Sequence, residues 1–504
     1  MCPAPTEAPP GGRAAPRPAA APGRAVAPRA AVALLAVLLA GVIVRLPWAG
    51  DLGMHAATVE RLRHNLLHPG NPLVDADTPS PYYSPWMLLL GCLARVTDLS
   101  VFVVLRCAAL AGLVLLATGV WRYVGTLSAH RAAPALAALS LVLLWGTSVI
   151  NWSGFLSLNS LALTVSYPSV FALGLAFHFW AWLTRALRTH AGRRTWAGLG
   201  VLWAVILLCH QFTGLVATLG GLAAVLSARP ARTLWPRCAA ATAAALLVLW
   251  LWPYYDFFAL LTAGDDLEGV HRALYRHFPD RYWLALLGVA ALVLRWRRDR
   301  RDPLVIFFLL GALVCAAGYA AGHYSWGRAL PAALIPAQLA AALEAVRGGR
   351  RAVRTCWAWA LAGALAVGAW SQAGVLGYVV GRAALPGVLA ARHTPPWTGY
   401  SWITPYVRYG DVVMARPFPS RMIPAYGPYT VAPGYPDFFL PDERRRELAV
   451  RDYYAPGTPA AVRRGILRAY GVRWVLDGHG SRQDPGLRAV ARGPGDEVLY
   501  AVVP

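Results

Sequence analysis

Apolar residues run along this chain in long blocks separated by short, basic connections. Taking about 20 residues per membrane crossing, the pattern predicts helices near 30–48, 99–121, 133–150, 167–184, 196–211, 213–228, 238–257, 282–296, 303–321, 328–346 and 355–380. Two segments are too long to be simple connectors, 49–98 and the C-terminal stretch 385–504, and long loops of that kind usually carry function.

Segment 49–98 has a pattern of its own. Leu52, His55, Val59, Leu62 and Leu66 recur at steps of three and four, which predicts an amphipathic helix over 52–68. Its other side carries Glu60, Arg61, Arg63, His64 and His68, a basic face expected to lie against headgroups. The apolar stretch 86–97 is too short to span and predicts a second interface or re-entrant helix. Beyond residue 400 the blocks give way to alternating apolar positions, charge, Pro and Gly. Strands are predicted at 411–415, 472–477 and 497–502, with helices over 441–452 and from Thr458 through Tyr470, the latter capped by Gly471.

Composition agrees with a membrane protein. The chain of 504 residues is 57% hydrophobic and only 14% charged, where a soluble chain has about a quarter charged. The net charge is +23, and all 47 basic residues are Arg. Much of that Arg sits in short loops, which is the signature of membrane orientation rather than of nucleic-acid binding. Arg122 and Arg131, then Arg185 to Arg194, Arg229 to Arg237, Arg295 to Arg301 and Arg347 to Arg354 mark one side as cytoplasmic, whereas 151–166 holds no basic residue. The chain therefore reads as a polytopic α-helical membrane protein of about eleven transmembrane helices, in a bacterial cytoplasmic membrane with the N-terminus inside. Residues 1–29 form a disordered basic tail, 30–384 the transmembrane domain with outer loop 49–98, and 385–504 a small extracytoplasmic α/β domain. Lys-free, Ala-, Gly- and Pro-rich usage fits a GC-rich bacterial genome. The seven Cys show neither a CxxC pair nor a zinc pattern.

Asp51 is the leading candidate for chemistry. It stands where the first span meets the interface, so its carboxylate is placed to take a proton from a hydroxyl acceptor; equally, Gly-Asp before an amphipathic run is an ordinary helix cap. Arg328, at the outer mouth of a span, is costly unless it meets an anion, with a snorkelling interface Arg as the bland alternative. His210 and His323 lie in or near the membrane, where titratable groups are functional by default or else pack helices by hydrogen bonding. Arg61, His64 and His68 belong to the basic side of the helix and read most simply as a solvated face. Asp75 and Asp77 suit turn chemistry beside Pro72 and Pro79. Asp265, Asp266 and Glu268 lack metal-ligand spacing and read as a solvated loop.

Several of these segments together resemble the GT-C membrane glycosyltransferases. The likeness is carried by the first span ending in Asp51 and by the helix 52–68. It continues through Tyr82-Tyr83-Ser84-Pro85-Trp86, Tyr167-Pro168-Ser169, His210-Gln211-Phe212-Thr213-Gly214, Trp252-Pro253-Tyr254-Tyr255 and Gly327-Arg328-Ala329-Leu330-Pro331. The sequence departs from the family where Gln211 replaces a Pro after the His. It departs again where a single acidic residue, not an adjacent pair, opens the first loop. The second departure leaves a divalent metal possible; the sequence fixes no cofactor and no metal ligand.

The resemblance implies an inverting hexosyl- or pentosyltransferase of mannosyltransferase-like type, with a polyprenyl-phosphate sugar as donor. The acceptor hydroxyl would belong to a lipid, a glycan, a protein or a natural product at the membrane's outer face. It implies Asp51 as general base, with Arg328, His55, Arg61, His64, Tyr82, Tyr83, His210 and His323 as substrate contacts. A glycolipid transporter or flippase is the rival reading, although no internal repeat or matching pair of broken spans is visible. A polysaccharide polymerase or ligase, the third reading, would place key Arg and His residues in a late outer loop.

Overall fold

In a computed structural model, which describes residues 26–189, 191–228, 232–261, 268–478 and 486–503, each of the eleven apolar blocks contains a helix, although 133–150 is helical only over Ala133–Leu143. Five are long and apolar enough to cross a membrane: Val26–Arg45, Val101–Leu127, Pro168–Thr189, Pro303–Ala321 and Arg351–Ser371. The protein is a multi-pass helical membrane protein. Residues 26–29, expected in the tail, already belong to the first helix, and 1–25 lie outside the described residues.

Small residues let these helices approach closely, as membrane packing requires. A methyl group on Gly119 of the Val101–Leu127 helix would come within 2.8 Å of the Gly174 carbonyl on the Pro168–Thr189 helix. At the centre of the bundle runs Leu330–Ala345, buried at every position. Its one carboxylate, Glu344, pairs with Arg298 at 2.6 Å, so the charge does not stand alone.

One predicted loop is not a loop. Within 151–166 lies the buried helix Leu158–Thr164, whose cap is the Ser157 hydroxyl accepting the Ser160 amide at 3.2 Å. Seven residues are too few for a span, so a search for long apolar runs passes over it. Asp265 and Asp266 fall outside the described residues. Glu268, read as part of a solvated loop, instead accepts the Ser325 amide at 2.9 Å and hydroxyl at 2.6 Å, fastening its loop to the segment that carries Arg328.

The C-terminal stretch builds a five-stranded sheet in the order β2-β1-β3-β5-β4. Its strands are β1 Val412–Met414, β2 Tyr429–Thr430, β3 Val472–Gly478, β4 Leu487–Arg492 and β5 Glu497–Val502. β1 is parallel to β2 and β3, whereas β5 is antiparallel to β3 and β4. Helices Glu443–Tyr454 and Ala460–Ala469 complete the α/β layer.

The segment 49–98 joins the two parts. Helix Leu52–His64 ends four residues short of the expected 68 and is buried over most of its length; of the side expected to be polar, the C-terminal layer covers Arg61, whereas His64 is exposed. Thr430 of β2 donates its amide to the Leu73 carbonyl at 3.0 Å, and Val74 forms a parallel bridge with Thr430. Asn71 donates to the buried Asp437 carboxylate at 2.6 Å. Trp252 and Tyr254, from the predicted outer motif, reach back to the carbonyls of Tyr83 at 3.1 Å and Leu66 at 2.7 Å.

Candidate active site

The first helix ends at Arg45, and the next five residues turn the chain toward the C-terminal layer. Gly50 takes φ +46°, a left-handed conformation that suits glycine. Three consecutive carbonyls of this turn are held from outside: Trp48 by the Trp397 amide at 2.7 Å, Ala49 by the Tyr167 hydroxyl at 2.5 Å and Gly50 by the Tyr435 hydroxyl at 2.6 Å. Asp51 follows, at the head of helix Leu52–His64. It occupies the capping position, yet its carboxylate makes no capping hydrogen bond. The side chain is left for other work.

Two cations act on that carboxylate. Burial pushes the Asp51 pKa above the ordinary range, and the charges of Arg328 and Arg421 pull it back down. Neither Arg makes a direct ion pair with it. Arg328 comes from the short helical turn Tyr324–Ala329 and is only 6% exposed. Its guanidinium lies over the rings of Phe212 at 4.5 Å and Trp152 at 5.3 Å, and its Nε has no hydrogen-bond partner. Burial brings its pKa down to about 10, against the support of the Asp51 carboxylate, so it is cationic at neutral pH. This is a buried positive charge with no anion in contact among the described residues.

Arg421 arrives from the other side of the molecule. Its Nε donates to the Gly434 carbonyl at 3.0 Å and its guanidinium lies 5.3 Å from the Tyr435 ring. Its own carbonyl packs on helix Leu52–His64 at Gly53, where an added methyl carbon would sit 2.0 Å from the oxygen. Only glycine permits that approach.

Of the residues singled out from the sequence, Asp51, His55, Tyr82, His210 and Arg328 converge. His55, one turn after Asp51, packs edge-on against Tyr167 at 4.6 Å; burial drops its pKa to about 3, so it is neutral, and its Nδ1 has no partner. Tyr82 lies within the field of Asp51 and donates its hydroxyl to the Pro436 carbonyl at 3.3 Å. His210 accepts the Thr213 amide at 3.1 Å through Nδ1 and meets the Ser153 hydroxyl at 3.2 Å through Nε2, within electrostatic reach of Arg328 and His55.

Four others stand apart. Arg61 is 0% exposed, not part of a solvated basic face. It donates to the carbonyls of Gly427 at 2.7 Å and Pro428 at 2.6 Å and stacks on Tyr429 at 3.6 Å, so its donors are already committed. His64 stacks on Tyr409 at 3.6 Å, and Tyr83 is buried with its hydroxyl on the Gly70 carbonyl at 2.8 Å. His323 is exposed and stacks on Trp326 at 5.8 Å. No group of three or more His, Cys, Asp or Glu side chains among the described residues is arranged to hold a metal ion. Sequence reasoning did not single out Arg421, Tyr435, Trp152 or Phe212 as site residues. Nothing in local spacing connects residues 421 and 435 to residue 51.

No family model matches the chain, and no curated protein matches it by sequence. Solved structures do resemble it. The arabinofuranosyltransferase AftD from Mycobacteria superposes with a TM-score of 0.56 at 19% identity, over 94% of this chain and 40% of that one. ArnT from Cupriavidus metallidurans superposes with a TM-score of 0.53 at 14% identity, over 94% of this chain and 98% of that one. This chain therefore spans well under half the length of AftD and nearly all of ArnT. Both are GT-C glycosyltransferases, and the fold is GT-C-like.

Proposed function

We propose that this protein is an inverting glycosyltransferase. In this reading it moves a sugar from a polyprenyl-phosphate donor to a hydroxyl acceptor at the outer face of the membrane. The observation that carries the reading is Arg328, buried on aromatic rings with no anion in contact and within the field of Asp51. Leaving a buried charge unpaired costs several kcal/mol, and the phosphate of a lipid-linked sugar would pair it. The likeness to an arabinofuranosyltransferase supports glycosyl transfer in general.

The acceptor oxygen bonds to the anomeric carbon from the face opposite the phosphate, and the bond from that carbon to the phosphate oxygen breaks. The acceptor's proton passes to the Asp51 carboxylate, and the departing phosphate keeps its electron pair beside Arg328. A carboxylate with a raised pKa is a better base, and the two arginines favour its ionised form. Neutral His55 adds no competing charge. The Arg-rich connections support an N-terminus inside and a C-terminal α/β layer outside.

The test is transfer from labelled polyprenyl-phosphate sugar in membranes carrying wild-type protein, Asp51→Asn or Arg328→Gln. Removing a general base costs about 10²–10⁴-fold, so Asp51→Asn is expected to lose transfer while expressing normally. Undiminished transfer in that variant overturns the base assignment. No transfer even in wild type favours a glycolipid transporter.

A further inference from the structure

A second site opens in the C-terminal layer. Just past the C-terminal ends of parallel strands β1 and β2 lies a cavity of about 380 Å³, walled on its far side by helix Glu443–Tyr454. That is where α/β sheets generally bind ligands, and the volume falls within the ~300–1,000 Å³ of small-molecule sites. The buried Pro433 and Val450 line it, as do the exposed Pro417, Arg416, Glu447 and Arg451.

The charges on this rim do not call for an ion. Arg416 is offset by Asp477 at 3.6 Å and Arg451 by Asp452 at 3.5 Å. Glu447 and Arg451 are one helical turn apart, a spacing that commonly forms an ion pair. Here they flank the cavity unpaired with each other, and Glu447 has no ion-pair or hydrogen-bond partner among the described residues. The rim thus offers carboxylate acceptors beside guanidinium donors, next to buried apolar residues. A hydroxyl group both donates and accepts, and the C–H face of a sugar ring suits proline and valine.

Two segments that line the cavity continue directly into residues of the candidate active site. Ser420 lines it, and the next residue is Arg421, which acts on Asp51. Pro433 lines it too. Gly434, which follows, accepts from Arg421, and Tyr435 beyond it holds the Gly50 carbonyl.

We propose that this cavity binds an uncharged, hydroxyl-rich saccharide of the acceptor, held between Glu447 and Arg451 while another part of the same glycan reaches Asp51. The proposal rests on the glycosyltransferase reading for the acceptor's role, and the binding itself is measured independently. Full-length protein in lipid nanodiscs is titrated with tetrasaccharides of α-mannan, α-arabinofuranan and β-glucan, and with tetragalacturonate as the charged control. Wild type is expected to bind at least one neutral tetrasaccharide saturably. The Glu447→Gln/Arg451→Gln double variant, altered at two exposed side chains and with its melting temperature checked against wild type, is expected to bind it at least about tenfold more weakly, a loss of two to three hydrogen bonds. Asp51→Asn is expected to bind as wild type does. Binding to no neutral tetrasaccharide, binding unchanged in the double variant, or preference for tetragalacturonate each overturns the site. If transfer survives in Asp51→Asn, the catalytic reading fails while saccharide binding in this cavity is still read on its own.

Discussion

The Tyr435 hydroxyl donates to the Gly50 carbonyl at 2.6 Å, so a residue of the C-terminal layer fixes the backbone immediately ahead of Asp51. The candidate base is thereby held from both halves of the molecule: Tyr167 of the helical bundle holds Ala49, and Tyr435 holds Gly50. Tyr435→Phe removes one hydrogen bond worth about 1 kcal/mol and leaves the ring in place. Transfer is expected to fall by about fivefold with little change in donor KM, measured by steady-state kinetics in membranes. An unchanged kcat would mean that the bond does not position Asp51.

The Asp51 pKa sets a pH dependence whose sign follows from its neighbours. Burial raises it above its ordinary 3.8, and the protonated acid cannot take the acceptor's proton. Activity is therefore expected to rise with pH through a midpoint above 3.8. Arg328 stabilises the carboxylate, so Arg328→Gln should move that midpoint upward as well as lowering the rate. A pH–rate profile of both proteins reads this directly, and a downward move would contradict the electrostatic coupling.

Arg61 is expected to govern stability rather than chemistry. Arg61→Ala would leave the buried Pro428 carbonyl without a donor and the Gly427 carbonyl with only the Gly410 amide, at about 1–3 kcal/mol for the orphaned group. The thermal unfolding of detergent-solubilised protein should drop by about 1–3 degrees, with Arg61→Lys rescuing little because it lacks the planar fork. His64→Ala, at a stacked and exposed position, is expected to shift it only slightly.

Gly53→Ala tests a close approach between the two parts. Its methyl carbon would fall 2.0 Å from the Arg421 carbonyl oxygen, so helix and layer must separate. Overpacking of this kind costs about 1–3 kcal/mol. The expected result is a lower melting temperature together with reduced transfer, whereas Gly363→Ala, which meets nothing nearby, should leave both unchanged.

The helical bundle was largely legible because long apolar runs in a membrane protein leave few alternatives. Asp51 and Arg328 were legible for a related reason, since charge at a span's end demands an explanation. What escaped depended on distant contacts. The two residues of β2 are too short to show a period, and the Arg-bearing edge strand β4 buries little of its surface, so neither stands out from its surroundings. Arg61 looked like one member of a solvated stripe because periodicity describes a helix alone, not the layer that covers it. Arg421 and Tyr435 were hidden for the same reason: their proximity to Asp51 exists only after the C-terminal layer docks.

The bridge between Val74 and Thr430 bears on protein engineering. Grafting the C-terminal layer of a relative onto this bundle would discard the strand edge and the carbonyls that segment 49–98 was shaped to meet. A workable chimaera has to exchange 49–98 and 385–504 as a matched pair, with the crossover points inside the bundle.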